Sequence, residues 1–279
     1  HSDCVHTVHR VMFSLVAIFP DVCFIKDMDG FTPIDFAIYL GDTTTLNVLI
    51  DGHSSCLNYS YYLSQSILEK RPQLVHYFTT KVERYCQNWS KEKRSCFIVK
   101  AIASFSSSSL QILLGFEYFR IAIDVPDIRS GKFPLQAAIE TEGEWAEKSA
   151  SLLFLAGANV FLKIHSSVRF GCKDDSLRLS LDNYFALAAY YGRDKLLTFI
   201  LKPYSDELGT CTVGFNDTFY FKSVEFSSNP LLAAMIGGHF HSLVNLLSRF
   251  FFDLYEFSTR IENLGLVTPV MLAISSRDI

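Results

Sequence analysis

The sequence predicts an all-α fold: a solenoid of stacked helix-turn-helix units with short β-hairpin loops, two of them enlarged. Three observations carry that reading. A small residue followed four positions later by glycine recurs at Ala37 and Gly41, Ala188 and Gly192, and Ala234 and Gly238. Apolar residues at helical spacing follow each, as in Leu46, Val48, Leu49 and Ile50. Composition supplies the third: of 279 residues 49% are apolar, 25 are Phe and only 19% are charged, below the roughly 25% of an ordinary soluble domain. That much apolar surface excludes disorder over most of the chain.

The first complete unit opens with Gly30-Phe31-Thr32-Pro33-Ile34-Asp35-Phe36-Ala37. Thr32 caps the first helix and Pro33 fits its first turn. Ala37 lets two helices approach closely, and Gly41 ends the helix and permits reversal into the second. Upstream, Val11 to Phe19 fits the second helix of a preceding unit. Two weaker units lack Thr-Pro but keep the spacing: Ser66-Ile67 with Leu74, Val75, Tyr77 and Phe78, and Ala101-Ile102 with Leu110, Ile112, Leu113 and Leu114. The frame returns at Gly131, Pro134, Leu135, Ala137 and Ala138 with Leu152, Leu153 and Phe154. It returns again at Ala188 to Gly192 with Leu196, Leu197, Phe199, Ile200 and Leu201. Asn229 to Ala234 with Gly238 precede Leu243, Val244, Leu246 and Leu247, and Thr268-Pro269-Val270-Met271-Leu272-Ala273 begins one more first helix. Counted from the Thr32-equivalent positions 32, 61, 96, 133, 183, 229 and 268, the steps are 29, 35, 37, 50, 46 and 39.

This pattern resembles the ankyrin repeat, G-x-T-P-L-H-x-A with a later glycine and a V-x-x-L-L helix, whose period is about 33 residues. The resemblance covers nearly the whole chain, as one divergent ankyrin-repeat array over 1–279 of about eight units. Partial units stand at 1–27 and 264–279, and insertions around 163–182 and 205–228. Both ends fall inside units, so the chain is expected to be a fragment of a longer array that would carry its polar caps elsewhere. The motif's usual His is here Asp35, Gln136, Ala186, Leu232 and Met271, so the bonds between neighbouring repeats must be rebuilt unit by unit.

Charge and thiols narrow the classes. A net charge of −4 argues against a nucleic-acid binder, which would carry a basic stripe. The chain opens at His1 without a basic-then-apolar leader and is read as having no signal peptide. Its longest apolar run, Val11 to Ile25, is interrupted by Pro20 and Asp21 and is too short to span a bilayer. Seven scattered cysteines (Cys4, Cys23, Cys56, Cys86, Cys96, Cys172, Cys211) form no C-x-x-C pair and read as reduced thiols of a cytoplasmic protein. Asn58-Tyr59-Ser60, Asn88-Trp89-Ser90 and Asn216-Asp217-Thr218 match the glycosylation pattern by chance in a Ser-rich sequence.

No chemistry stands out. His1, Cys4, His6 and His9 crowd together without a second cluster to complete a metal site. No G-x-S-x-G, Walker, G-x-G-x-x-G or H-E-x-x-H motif occurs. The expectation is therefore no enzyme, no cofactor and no metal. Glu140, Glu142, Glu144 and Glu147 read as a solvated turn, with docking of a basic partner as the alternative. The insertions are either drifted loops or docking elements. One carries Lys163, Arg169, Lys173 and Arg178 beside Asp174-Asp175; in the other, Thr212 to Phe226 is aromatic and β-branched and predicts a β-hairpin finger.

The ankyrin resemblance implies protein–protein recognition on a concave face made of hairpin tips and first-helix ends. Position by position, that surface comprises Met28, Asp29, Phe31, Tyr39, Leu40, Arg129, Lys132, Glu140, Thr141, Tyr190, Tyr191, Ile236, Leu266 and Val267. Aromatic residues there would anchor a protein or peptide partner, unless other parts of the protein cover them. The expected function is a scaffold or interaction module without nucleic-acid binding or membrane insertion. The alternatives are the cytosolic ankyrin region of a membrane protein such as a cation channel or acyltransferase, or regulatory repeats of a larger enzyme.

Overall fold

The computed structural model describes residues 11–12, 14–50, 57–169, 178–202, 219–221, 224–247, 259–261 and 265–267. His1, Cys4, His6, His9, Cys56, Cys172, Cys211, the 212–218 part of the finger and the Thr268–Ala273 motif lie outside the described residues. The chain is mostly helical and divides into two compact units, His1–Arg129 and Ser130–Ile279.

In the N-terminal unit, residues 14–18 are helical and a 3-10 turn follows at Pro20–Phe24. Then come α1 (Pro33–Leu40), α2 (Thr43–Ile50), α3 (Tyr59–Leu68), α4 (Pro72–Tyr85), α5 (Lys91–Ala103), α6 (Ser107–Gly115) and the short α7 (Glu117–Arg120). Thr32 caps α1 as its sequence requires: its hydroxyl accepts from the Asp35 N–H, and the Asp35 carboxylate accepts from the Thr32 N–H at 2.9 Å. The Asp that replaces the motif's His thus completes a capping box. Helices α3 and α5 begin before the frame positions 61 and 96. Asn58 and Ser90 cap them; the added turn of α3 buries Tyr59, and Tyr62 and Leu63 are buried just after it.

The C-terminal unit contains α8 (Pro134–Glu140), α9 (Glu144–Leu155), β1 (Ser166–Arg169), β2 (Arg178–Leu181), α10 (Tyr184–Tyr190) and α11 (Asp194–Leu201). It continues with β3 (Phe219–Phe221), β4 (Val224–Phe226), α12 (Pro230–Ile236), α13 (Phe240–Leu247), β5 (Thr259–Ile261) and β6 (Gly265–Val267). Both enlarged loops carry antiparallel pairs. β1 and β2 run from Ser166 opposite Leu181 to Arg169 opposite Arg178, and β3 and β4 pair Phe219 with Phe226.

Contacts follow one scheme within each unit. The helices pair as α1 with α2, α3 with α4 and α5 with α6, then α8 with α9, α10 with α11 and α12 with α13. First helices touch the first helices of the next pair, and second helices touch second helices. Ala37, Ala138, Ala188 and Ala234 are all buried, as the sequence frame requires. Ser66 and Ala101 of the weaker pairs are equally buried.

The turn after five of the six first helices repeats in backbone detail; α8 instead ends in an extended Thr141. Gly41, Lys70, Phe105, Gly192 and Gly238 all have φ between +53° and +77°. Each donates to a carbonyl three residues back, and the next residue donates five back: Asp42 to Ala37, Arg71 to Ser66, Ser106 to Ala101, Arg193 to Ala188 and His239 to Ala234. That is the Schellman closure, which satisfies carbonyls the helix would leave open. Five copies in phase show that the weak pairs at Ser66 and Ala101 obey the same local rule as the strong ones.

Candidate partner-binding surface

The turn before α1 is built by one carboxylate. Asp27 Oδ1 accepts from the N–H groups of Asp29 (3.0 Å) and Phe31 (2.8 Å), while its own N–H donates to the Phe31 carbonyl. This Asx arrangement leaves Met28 fully exposed at the tip. The Phe31 ring leans on Phe36 with centroids 5.8 Å apart. Phe36, Tyr39 and Leu40 are spaced i, i+3, i+4 on one face of α1, and they are 48%, 63% and 69% exposed. The structure therefore gathers Phe31, Tyr39 and Leu40 of the expected surface around Phe36, which the sequence reading passed over. The helix end beneath them is held from the next pair, where the Arg71 guanidinium donates to the Tyr39 carbonyl at 3.0 Å.

Arg129 is exposed on a second such turn, where Asp127 Oδ1 accepts the Arg129 N–H at 3.2 Å. It lines a cavity of about 290 Å³ with Leu68, Cys96, Val99, Lys100, Ala103, Ser104 and Asp127. Burial and then Asp127 push the Cys96 thiol pKa up. Lys100 and Cys96 were legible in principle: Cys96, Val99, Lys100 and Ala103 stand at i, i+3, i+4 and i+7 of α5. Starting that helix at position 96 concealed the face.

In the C-terminal unit Glu140 is the hub. It pairs with the Lys132 ammonium at 2.5 Å and accepts from Gln136 Nε2 and Ser166 Oγ, each at 3.0 Å. The acidic run thus divides: Glu140 bonds inward, Glu147 pairs with Lys195 at 3.6 Å, and Glu142 and Glu144 are exposed. Arg193, at the turn position that Arg71 holds in its own pair, donates to the carbonyls of Ile139 (3.2 Å) and Thr141. Its guanidinium lies 5.8 Å from the Tyr191 ring, which meets Tyr190 edge to face at 5.1 Å. Tyr190 and Tyr191 are half-buried, in contrast to the open Tyr39 and Leu40. Burial raises both phenol pKa values, with Glu140 adding to the effect at Tyr191.

The Tyr190 carbonyl packs on Gly237, where an added β-carbon would lie 2.2 Å from the oxygen. Ile236 beside it is half-buried. Leu266 and Val267 lie in β6, opposite Arg260 and Thr259.

Among the described residues no group of three His, Cys, Asp or Glu side chains could hold a metal ion. No helix among them is long and apolar enough to cross a membrane. Cys23 and Cys86 are buried free thiols. No family model matches the chain, and no curated protein sequence matches it.

Proposed function

We propose that this chain is a divergent ankyrin-repeat solenoid that acts as a protein-recognition module in the cytoplasm. One observation carries the functional part: Met28, Phe31, Phe36, Tyr39 and Leu40 hold large apolar side chains in solvent on a framework fixed by Asp27, a capping box and Arg71. Exposing such residues is unfavourable unless something docks on them, and preordered aromatic anchors dominate binding energies. The in-phase Schellman turns and the paired-helix contacts support the ankyrin reading, because each pair buries its apolar faces against its neighbours. Free thiols suit a reducing compartment.

The test is affinity capture from the native source with wild-type protein and a Tyr39→Ala/Leu40→Ala variant. Each substitution is expected to weaken partner binding by about 1–2 kcal/mol with helicity unchanged by circular dichroism. Equal capture by the variant refutes this surface.

A further inference from the structure

Four residues of α5, Cys96, Val99, Lys100 and Ala103, present one face to the end of α3 at Leu68 and to the turn at Asp127 and Arg129. We propose that this cavity is the subsite that receives an acidic side chain, glutamate or aspartate, of a polypeptide partner. The inference rests on the recognition reading above and names the chemistry of one contact.

The wall is largely aliphatic, from Leu68, Val99 and Ala103, and suits a methylene stem. Two cations, Lys100 and Arg129, and one carboxylate, Asp127, complete it. Asp127 is 4% exposed and already used: it accepts the Arg129 N–H and hydrogen-bonds with the Cys96 thiol. One positive charge is therefore left over, in a chain whose net charge is −4. Burial holds the Lys100 pKa below its ordinary value, and Arg129 lowers it further. A carboxylate between the two cations relieves that repulsion and adds charge-assisted hydrogen bonds. The Asp127 carboxylate in the same wall penalises a dianion such as phosphate. The volume, about 290 Å³, is at the low end for ligand pockets and suits one side chain rather than a cofactor.

The probe is the peptide acetyl-Leu-Glu-Leu-amide, titrated into the full chain at low salt beside its Gln counterpart. Methyl NMR signals of Leu68, Val99 and Ala103 are the readout. Saturable shifts are expected with the Glu peptide, at an affinity about tenfold above the Gln peptide. Lys100→Met or Arg129→Gln should cut the ratio to within about twofold, and Arg129→Lys should restore part of it. Circular dichroism confirms that each variant is folded. Equal affinity of the two peptides, no saturable shift with either, or a preference that survives both substitutions overturns the proposal. Free glutarate binding as tightly as the Glu peptide also overturns it, by making this a small-acid site. If Glu discrimination is absent but capture still depends on Tyr39 and Leu40, the subsite alone falls. Capture indifferent to Tyr39 and Leu40 sinks the recognition reading instead.

Discussion

Lys70 and Phe105 stand at turn positions that Gly41, Gly192 and Gly238 fill elsewhere, with φ of +53° and +55°. A residue with a β-carbon is strained there by about 1–2 kcal/mol. Phe105 is 53% exposed, so Phe105→Gly forfeits little burial. After the added chain entropy of glycine, it should stabilise the protein by about 0.5–1 kcal/mol in urea melts. A loss of stability would show that the ring packs more than its exposure suggests. Ala188 is fully buried between helices, and Ala188→Leu should cost about 1–3 kcal/mol through overpacking. An unchanged melting temperature would reject the register of α10. The alanine frame was readable because close helix approach tolerates few residue types. The left-handed turns at Lys70 and Phe105 were not, since neither residue advertises that conformation. Arg71 and Arg193 were equally hidden, because their acceptors are main-chain carbonyls that leave no mark in sequence.

Among elements, the segment that leads into α10 is joined to the segment that leads into α12 by one polar cluster. Asp182 accepts from the Ser227 N–H (2.7 Å), the Ser227 hydroxyl (2.8 Å), the Ser228 N–H (3.0 Å) and Asn183 Nδ2 (3.1 Å). Asn183 caps α10 through the Ala186 N–H and donates to the Ser228 carbonyl at 2.8 Å. Replacing residues 219–226 with a short turn should therefore leave the helices intact, provided Ser227 and Ser228 remain. Extending the deletion through Ser228, or making Asp182→Ala, should cost about 1–3 kcal/mol by leaving buried partners unsatisfied. Helix content and thermal unfolding of the two deletions decide the matter: equal stability would show that the cluster is dispensable. The finger's aromatic and β-branched composition announced strands, and β3 and β4 occur within it. The β1–β2 pair was unannounced, since Ser166-Ser167 and Arg178 carry little strand preference. The early starts of α3 and α5 went unread because Asn58 and Ser90 lie outside the Thr-Pro frame.

Across the whole molecule, acid should act in two stages. Burial lowers the His239 pKa, Asp194 opposes it and Arg193 lowers it further, against an ordinary value of 6.5. The folded state thus favours the neutral imidazole, while the unfolded chain takes up a proton near 6.5. Stability is complete above that pH and declines as pH falls below it. Burial alone would raise the Asp182 pKa, but its hydrogen bonds to Ser227, Ser228 and Asn183 outweigh it and hold it under 3.8. The sign is the same: its contribution is present above pH 3.8 and fades as pH falls further. Melting temperature should be flat near neutrality and drop in both windows, and His239→Gln should remove the first drop. A first drop that persists in that variant would assign it to another group. The guanidinium grips at Arg71 and Arg193 carry one more consequence, which is direction. In each case the later helix pair holds the helix end of the earlier one. Peeling away the later pair merely returns those carbonyls to water. Stripping the earlier pair takes both carbonyl acceptors from Arg193 and leaves its guanidinium beside the Tyr191 ring. Each of these two grips is thus a one-way latch: the turn comes first in the chain, and the arginine that closes over it, Arg71 or Arg193, arrives only when the next helix pair has been synthesised.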